Sequence, residues 1–209
     1  MARHRGPKVP TQGARRVENA GPLGDAARVT VGLLLAAGEG RRFGGPKALA
    51  RDDDGTSWLL RAVQALRPCE EIVVVLGAEA RRASALLPMS VSRIRADDWA
   101  EGMGASLRAG LEALARTDHD SVLVSLVDLP DVDAAVVCRV LDAAQGRTTL
   151  ARAAYDGVPG HPVLLGRDHW AGVVASATGD RGARDYLASH DVELVECGDL
   201  ASGVDVDHR

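Results

Sequence analysis

The sequence predicts an α/β fold in which helices cover both faces of one mostly parallel sheet, giving three layers. Short, near-continuous apolar runs rich in Val and Leu alternate with segments whose apolar residues recur at helical spacing. Strands buried on both faces read as unbroken runs of this kind, and alternation with helices implies parallel neighbours. Most of the runs also close on Gly or Asp, the residues expected where a strand gives way to a loop.

In chain order, "TVGLLLAA" (30–37) is the first expected strand. "SWLLRAVQALR" (57–67) has apolar residues at helical spacing and leads to "EIVVVLG" (71–77), a β-branched strand closed by Gly77. A helix over "AEARRASALL" (78–87), a strand over "VSRIRA" (91–96) and a helix over "GASLRAGLEALAR" (104–116) follow. "SVLVSLVD" (121–128) is a strand ending on Asp128, and "DAAVVCRVLDAA" (133–144) a helix. The remainder reads as strands in "TTLARAAYDG" and "PVLLG", helices around 168–176 and 180–189, and a last strand, "VELVE" (192–196). The whole is a Rossmann-like three-layer α/β/α sandwich, expected as a single domain over 29–209 without internal repeat or linker.

Residues 1–28 are rich in Arg, Gly and Pro and lack the apolar segment of a secretory signal, so a disordered leader is expected there. With 46% hydrophobic and 26% charged residues the remaining chain can bury a core. A net charge of −4 argues against a nucleic-acid surface, although small anions need only local positive charge. No run approaches the roughly 18–20 apolar residues of a membrane span. Cys69, Cys138 and Cys197 are odd in number and lack CxxC spacing, which fits a reducing cytoplasm and offers no zinc site.

Ligands of open α/β sheets bind beyond the carboxyl ends of the strands. The loop after the first strand, "GEGRRFGGPK" (38–47), holds the unusual residues. Gly38 and Gly40 let the backbone bend and bring N–H groups close to a phosphate, and Arg41, Arg42 and Lys47 add charge around that concavity. The only other lysine in the chain is Lys8; every further cation is arginine, so Lys47 marks a place that needs a compact ammonium. The spacing is neither GxGxxG, because the third glycine, Gly44, comes one residue late, nor GxxxxGK[ST], because Pro46 precedes Lys47.

"LAAGEGRRFGGPK" resembles the signature loop of nucleotidyltransferases with the sugar-nucleotide-pyrophosphorylase-type fold, and most of all the molybdenum cofactor cytidylyltransferase and guanylyltransferase group. The likeness extends to "WAEGMGASLRAGL" (99–111), "LVDLP" (126–130), "GHPVLLGR" (160–167), "GDRGARDYL" (179–187) and "DVDHR" (205–209). It implies an Mg²⁺-dependent transfer of a cytidylyl group from CTP to the terminal phosphate of molybdopterin, with pyrophosphate leaving. The dinucleotide product serves molybdenum hydroxylases, one of which would be the client partner. GTP, another phosphate acceptor, or a non-catalytic nucleotide or pterin carrier are the alternatives.

Roles follow from the resemblance. Leu35, Ala36, Ala37, Gly38, Gly40 and Arg42 would hold the nucleotide, with Arg42 and the loop amides on the β- and γ-phosphates and Lys47 at the α-phosphate. Gly104 and Ser106 would stand at the base, and Ala37 is the more cytidylyltransferase-like residue at its place. Asp128 would bind the metal, rather than merely capping a turn or the next helix. Asp205 and Asp207 are both available as the second carboxylate, and the resemblance favours Asp207, although His208 and Arg209 depart from the family's Thr-Pro there. His161, Asp180 and Arg184 would face the acceptor; the bland reading of the last two is an i,i+4 pair on a helix. Trp58, Trp99 and Trp170 are expected in the core, Trp99 being the one with an alternative place near the base.

Overall fold

The first apolar run becomes β1 (Thr30–Ala36), buried along its whole length, and the rest of the sheet is assembled around it. The computed structural model describes Met1 and residues 30–207; the leader expected over 1–28 lies, Met1 apart, outside the described residues, as do His208 and Arg209. β1 pairs in parallel with β2 (Glu71–Leu76) on one side and β4 (Ser121–Leu126) on the other. β3 (Ser92–Arg95) adds to β2, while β6 (Val158–Gly166), β5 (Leu150–Tyr155) and β7 (Glu193–Glu196) extend the other side, giving the order β3-β2-β1-β4-β6-β5-β7. Among these strands only β6 runs against its neighbours.

Helices fill both faces. α1 (Trp58–Ala65) and α4 (Ala134–Leu141) cover one, where Leu34, Leu59, Val74, Leu123 and Val136 are buried together. α3 (Met103–Leu114) and α5 (Arg167–Ser176) cover the other, with Val31, Leu33, Val75, Leu111 and Trp170. Successive residues of β1 alternate between the two cores because strand side chains point to opposite faces. Each fully buried Leu or Val contributes about 1.5–3 kcal/mol relative to exposure. No helix among the described residues is long and apolar enough to cross a membrane.

Three elements differ from expectation. The helix expected over 78–87 contracts to α2 (Ala80–Ser84). The strand expected over 162–166 begins at Val158, because Asp156 and Gly157 both take positive φ and close a two-residue hairpin with β5. The helix expected around 180–189 splits into a 3-10 turn at Gly179–Arg181 and α6 (Arg184–Ala188). Gly182 interrupts it at φ 53°, so Asp180 and Arg184 do not share a helix; the pair that forms is Arg181 with Asp185, at 3.1 Å.

Register fixes where the ligand-facing loops meet. Ala36 pairs with Leu76 and Leu35 with Leu126, so the loops after β1, β2 and β4 emerge side by side at the carboxyl edge of the sheet.

Candidate active site

At that edge the loop after β1 folds onto itself. Gly40 adopts φ 65°, and its carbonyl accepts from the amides of Gly44 at 2.9 Å and Gly45 at 3.1 Å. A Cβ at residue 40 would run into the carbonyl oxygen of Gly45, so only glycine fits this turn. Gly38 is different: its backbone is ordinary, it is exposed, and a Cβ there would meet nothing within 4 Å. It borders open space.

The turn delivers Lys47 at the start of the 3-10 segment Lys47–Leu49. Its ammonium donates to Asp128 Oδ2 at 2.7 Å and Asp207 Oδ1 at 3.1 Å. Burial alone would depress the Lys47 pKa; the hydrogen bonds and charges of Asp128 and then Asp207 outweigh it and raise the pKa above the ordinary lysine value. Asp128 is free for this role because the helix after it, α4, takes Asp133 as its cap, accepting from Ala135 N at 2.8 Å and Val136 N at 3.3 Å. The carboxyl-terminal segment is drawn alongside by a backbone bond from Val206 N to Asp128 O, 3.1 Å. That bond sets Asp205 and Asp207 on either side of it, and one carboxylate oxygen from each of Asp128, Asp205 and Asp207 lies within 4.8 Å of the others. Three hard oxygen donors with a cation already among them suit a divalent metal such as Mg²⁺. Asp205 and Asp207 thus both arrive beside Asp128.

A cleft of about 380 Å³ opens beside this cluster, of a size suited to a small ligand. Leu35, Ala36, Ala37, Gly38, Gly40, Lys47, Ser106 and Asp128 all line it. Ser106 is buried on the first turns of α3. Two expected nucleotide contacts are placed elsewhere. Arg42 is exposed outside the lining, and Arg41, held by Glu39 at 2.8 Å, lines the cleft instead, because the Gly40 turn points successive side chains in different directions. Gly104 is buried against the backbone of Thr178, whose amide a Cβ would meet at 2.8 Å, so it lets α3 approach that segment and does not line the cleft. Trp58 and Trp170 are in the core as expected. Trp99 leaves it for the cleft wall, and Gly77 is what admits it, since a Cβ there would lie 2.5 Å from Trp99 Cγ.

His161, Asp180 and Arg184, distant in sequence, line one second cavity of about 320 Å³. It adjoins the first: Leu35, Met103, Leu126 and Asp180 face both. Tyr155 shapes its wall. The phenol donates to His161 O at 2.6 Å, and Gly160 and Gly203 lie so close to the ring that neither could carry a side chain. Burial, with Arg152 adding to it, pushes the His161 imidazole down to about 4, so it is neutral near pH 7. Arg152, which no local pattern singles out, also lines this cavity; only the pairing of β5 with β6 brings it beside residue 160.

Comparison with known proteins bears on the fold. The MobA-like NTP transferase domain matches residues 32–194. Nicotine blue oxidoreductase of Paenarthrobacter nicotinovorans is 36% identical over 190 residues, 84% of this chain and 91% of that one. The "Probable molybdenum cofactor guanylyltransferase" of Rhodopirellula baltica is 38% identical over 104 residues, 49% of each chain. Among solved structures, the manganese complex of Rv0371c from Mycobacterium tuberculosis H37Rv superimposes with a TM-score of 0.67 at 26% identity, covering 85% of this chain and 93% of that one.

Proposed function

The chain belongs to the MobA-like NTP transferase family, and from that premise we propose that it is an Mg²⁺-dependent enzyme transferring a cytidylyl group from CTP to the terminal phosphate of molybdopterin. One observation carries the reading: an ammonium and three carboxylates converge where a nucleotide-sized cleft meets a second cavity. In such a transfer an acceptor phosphate oxygen attacks the α-phosphorus and pyrophosphate departs. The attacking phosphate is already an anion, so no side-chain nucleophile or general base is required. Catalysis is then positioning and charge stabilisation.

The loop amides of 38–44 not already bonded to Gly40, with Arg41 and Arg42, would receive the triphosphate. Lys47 would turn from its carboxylate partners to the α-phosphate, where negative charge shifts during displacement. Asp128, with Asp205 and Asp207, would hold Mg²⁺, which supplies positive charge beside the triphosphate. Leu35, Ala36 and Ala37 would seat the nucleoside with Ser106 as hydrogen-bonding partner of the base, and Gly104 would act through the packing of α3. His161, Asp180 and Arg184 would contact the acceptor. The product would pass to a client molybdenum hydroxylase within the cytoplasm.

Ala37 favours CTP, whereas the guanylyltransferase relative favours GTP. The oxidoreductase relative, matched over more of its length, favours a second reading: an oxidoreductase acting on nicotine blue or a like compound, by hydride transfer. Hydride transfer has no use for a lysine–carboxylate cluster, which is why the transferase reading is preferred. The test is incubation with Mg²⁺, molybdopterin and CTP or GTP, following pyrophosphate and dinucleotide, with Lys47→Ala as control. Turnover with one triphosphate, abolished in the variant, supports transfer and fixes the base. No turnover, together with bleaching of nicotine blue by a reduced nicotinamide nucleotide, would replace it with the oxidoreductase.

A further inference from the structure

We infer that Arg152 and Arg184 together form the receptor for the terminal phosphate of the acceptor, making Arg152 a substrate-binding residue and restricting acceptors to phosphomonoesters. This rests on the transferase reading of the neighbouring cleft.

The two guanidinium groups come from separate parts of the fold, Arg152 from β5 and Arg184 from the start of α6, yet both line the second cavity. Arg152 is half-buried, and its Nε and Nη2 both donate to the carbonyl of Gly160, at 3.1 and 2.9 Å. Those bonds aim the guanidinium without neutralising it, for a carbonyl carries no net charge. Among the described residues, neither arginine has a carboxylate within ion-pair distance. The third arginine of the cavity, Arg181, is committed to Asp185 at 3.1 Å.

Like charges held together in a partly buried wall are unfavourable, and here burial and then Arg184 lower the Arg152 pKa. Proteins do not retain such a pair for stability, since an anion is what would neutralise it. The planar fork of arginine matches a phosphate in bidentate fashion, so two forks suit a dianion. The location agrees. Asp205 of the carboxylate cluster and Asp180 of the nucleotide cleft both border the same cavity, so a phosphate held by Arg152 and Arg184 lies on the acceptor side of Lys47. A neutral acceptor would leave both guanidinium groups unpaired.

The experiment is calorimetric titration of inorganic phosphate into the full chain, presaturated with Mg²⁺ and a non-hydrolysable CTP or GTP analogue that occupies the glycine loop. Wild type, Arg184→Met, Arg152→Met and Arg152→Lys are compared. Phosphate affinity should fall at least tenfold in both methionine variants and be partly restored by lysine, with nucleotide affinity unchanged within twofold. Arg152→Met removes two bonds to residue 160, but the Arg184 side chain makes no hydrogen bond or ion pair within the described residues, so Arg184→Met decides the matter alone. Phosphate affinity within twofold of wild type in Arg184→Met would overturn the receptor while leaving the transferase standing. Failure of every protein to bind nucleotide would count against the transferase; the same titration without nucleotide then still judges the arginines, by whether Arg184→Met loses the tenfold.

Discussion

Gly38 and Gly40 stand two residues apart in one loop, and alanine at each should give opposite signatures. At Gly40 the backbone is left-handed, φ 65°, and a methyl would strike the carbonyl of Gly45. The left-handed conformation costs a non-glycine residue about 1–2 kcal/mol, and displacing the turn endangers the two bonds to Gly44 and Gly45, each worth about 1 kcal/mol. A total near 2–4 kcal/mol corresponds to a Tm lower by about 5–15 °C in a domain of this size. At Gly38 the methyl meets nothing within 4 Å; fewer unfolded conformations should leave stability equal or raised by about 0.4–1 kcal/mol. That same methyl projects where loop amides would approach a triphosphate, so nucleotide should bind about tenfold more weakly, or about 1.4 kcal/mol. Thermal unfolding by circular dichroism and calorimetric titration with CTP or GTP and Mg²⁺ read both quantities. If Gly38→Ala binds nucleotide like wild type, the loop is not the phosphate cradle, and the argument from its glycines fails.

Three further outcomes are expected. Lys47→Met should lower kcat by about 10²–10³ with a smaller effect on nucleotide KM, the loss typical of one transition-state donor; equal loss in both would mean ground-state binding only. Asp128→Asn should weaken Mn²⁺ binding, followed by electron paramagnetic resonance, by about 10–100-fold, in line with the removal of metal-site interactions; unchanged binding would remove Asp128 from the metal. His161 takes up its proton in the unfolded chain near pH 6.5 but in the folded one only near 4, so its contribution is fully present above pH 6.5 and is lost as pH falls towards 4. The difference amounts to about 3 kcal/mol, and denaturant unfolding of His161→Gln should show a visibly flatter dependence over pH 4–6.5.

The apolar strands and the opening loop were readable because their determinants are local: unbroken hydrophobic runs, glycines at a strand end, one isolated lysine. What failed depended on backbone conformation or on chain partners far away. Asp156-Gly157 is a hairpin signal in its own right, and it could have lengthened β6 to its observed start at Val158. Gly182 could have warned that the helix over 180–189 would break. Arg41 and Arg42 are indistinguishable by composition; only the Gly40 turn decides which one lines the cleft. Arg152 carried no signal, because its neighbours come from β6 and α6, and neither pairing is encoded near residue 152.

The carboxylate cluster bears on why this scaffold supports transfer better than reduction. Asp128 and Asp207 accept from the Lys47 ammonium, and Asp205 brings a third carboxylate within 4.8 Å of theirs; like charges so close repel. A divalent cation would relieve that repulsion, and a hydride donor would not. With such a partner the carboxylates would no longer need Lys47, and its long stem would let the ammonium reach a neighbouring phosphate. The adjoining cavity adds two guanidinium groups, those of Arg152 and Arg184, alongside Asp180 and Asp205. Carboxylates beside the first cleft and two guanidinium groups in the cavity that adjoins it set both signs of charge where the proposed metal–nucleotide and acceptor phosphate would carry their complements.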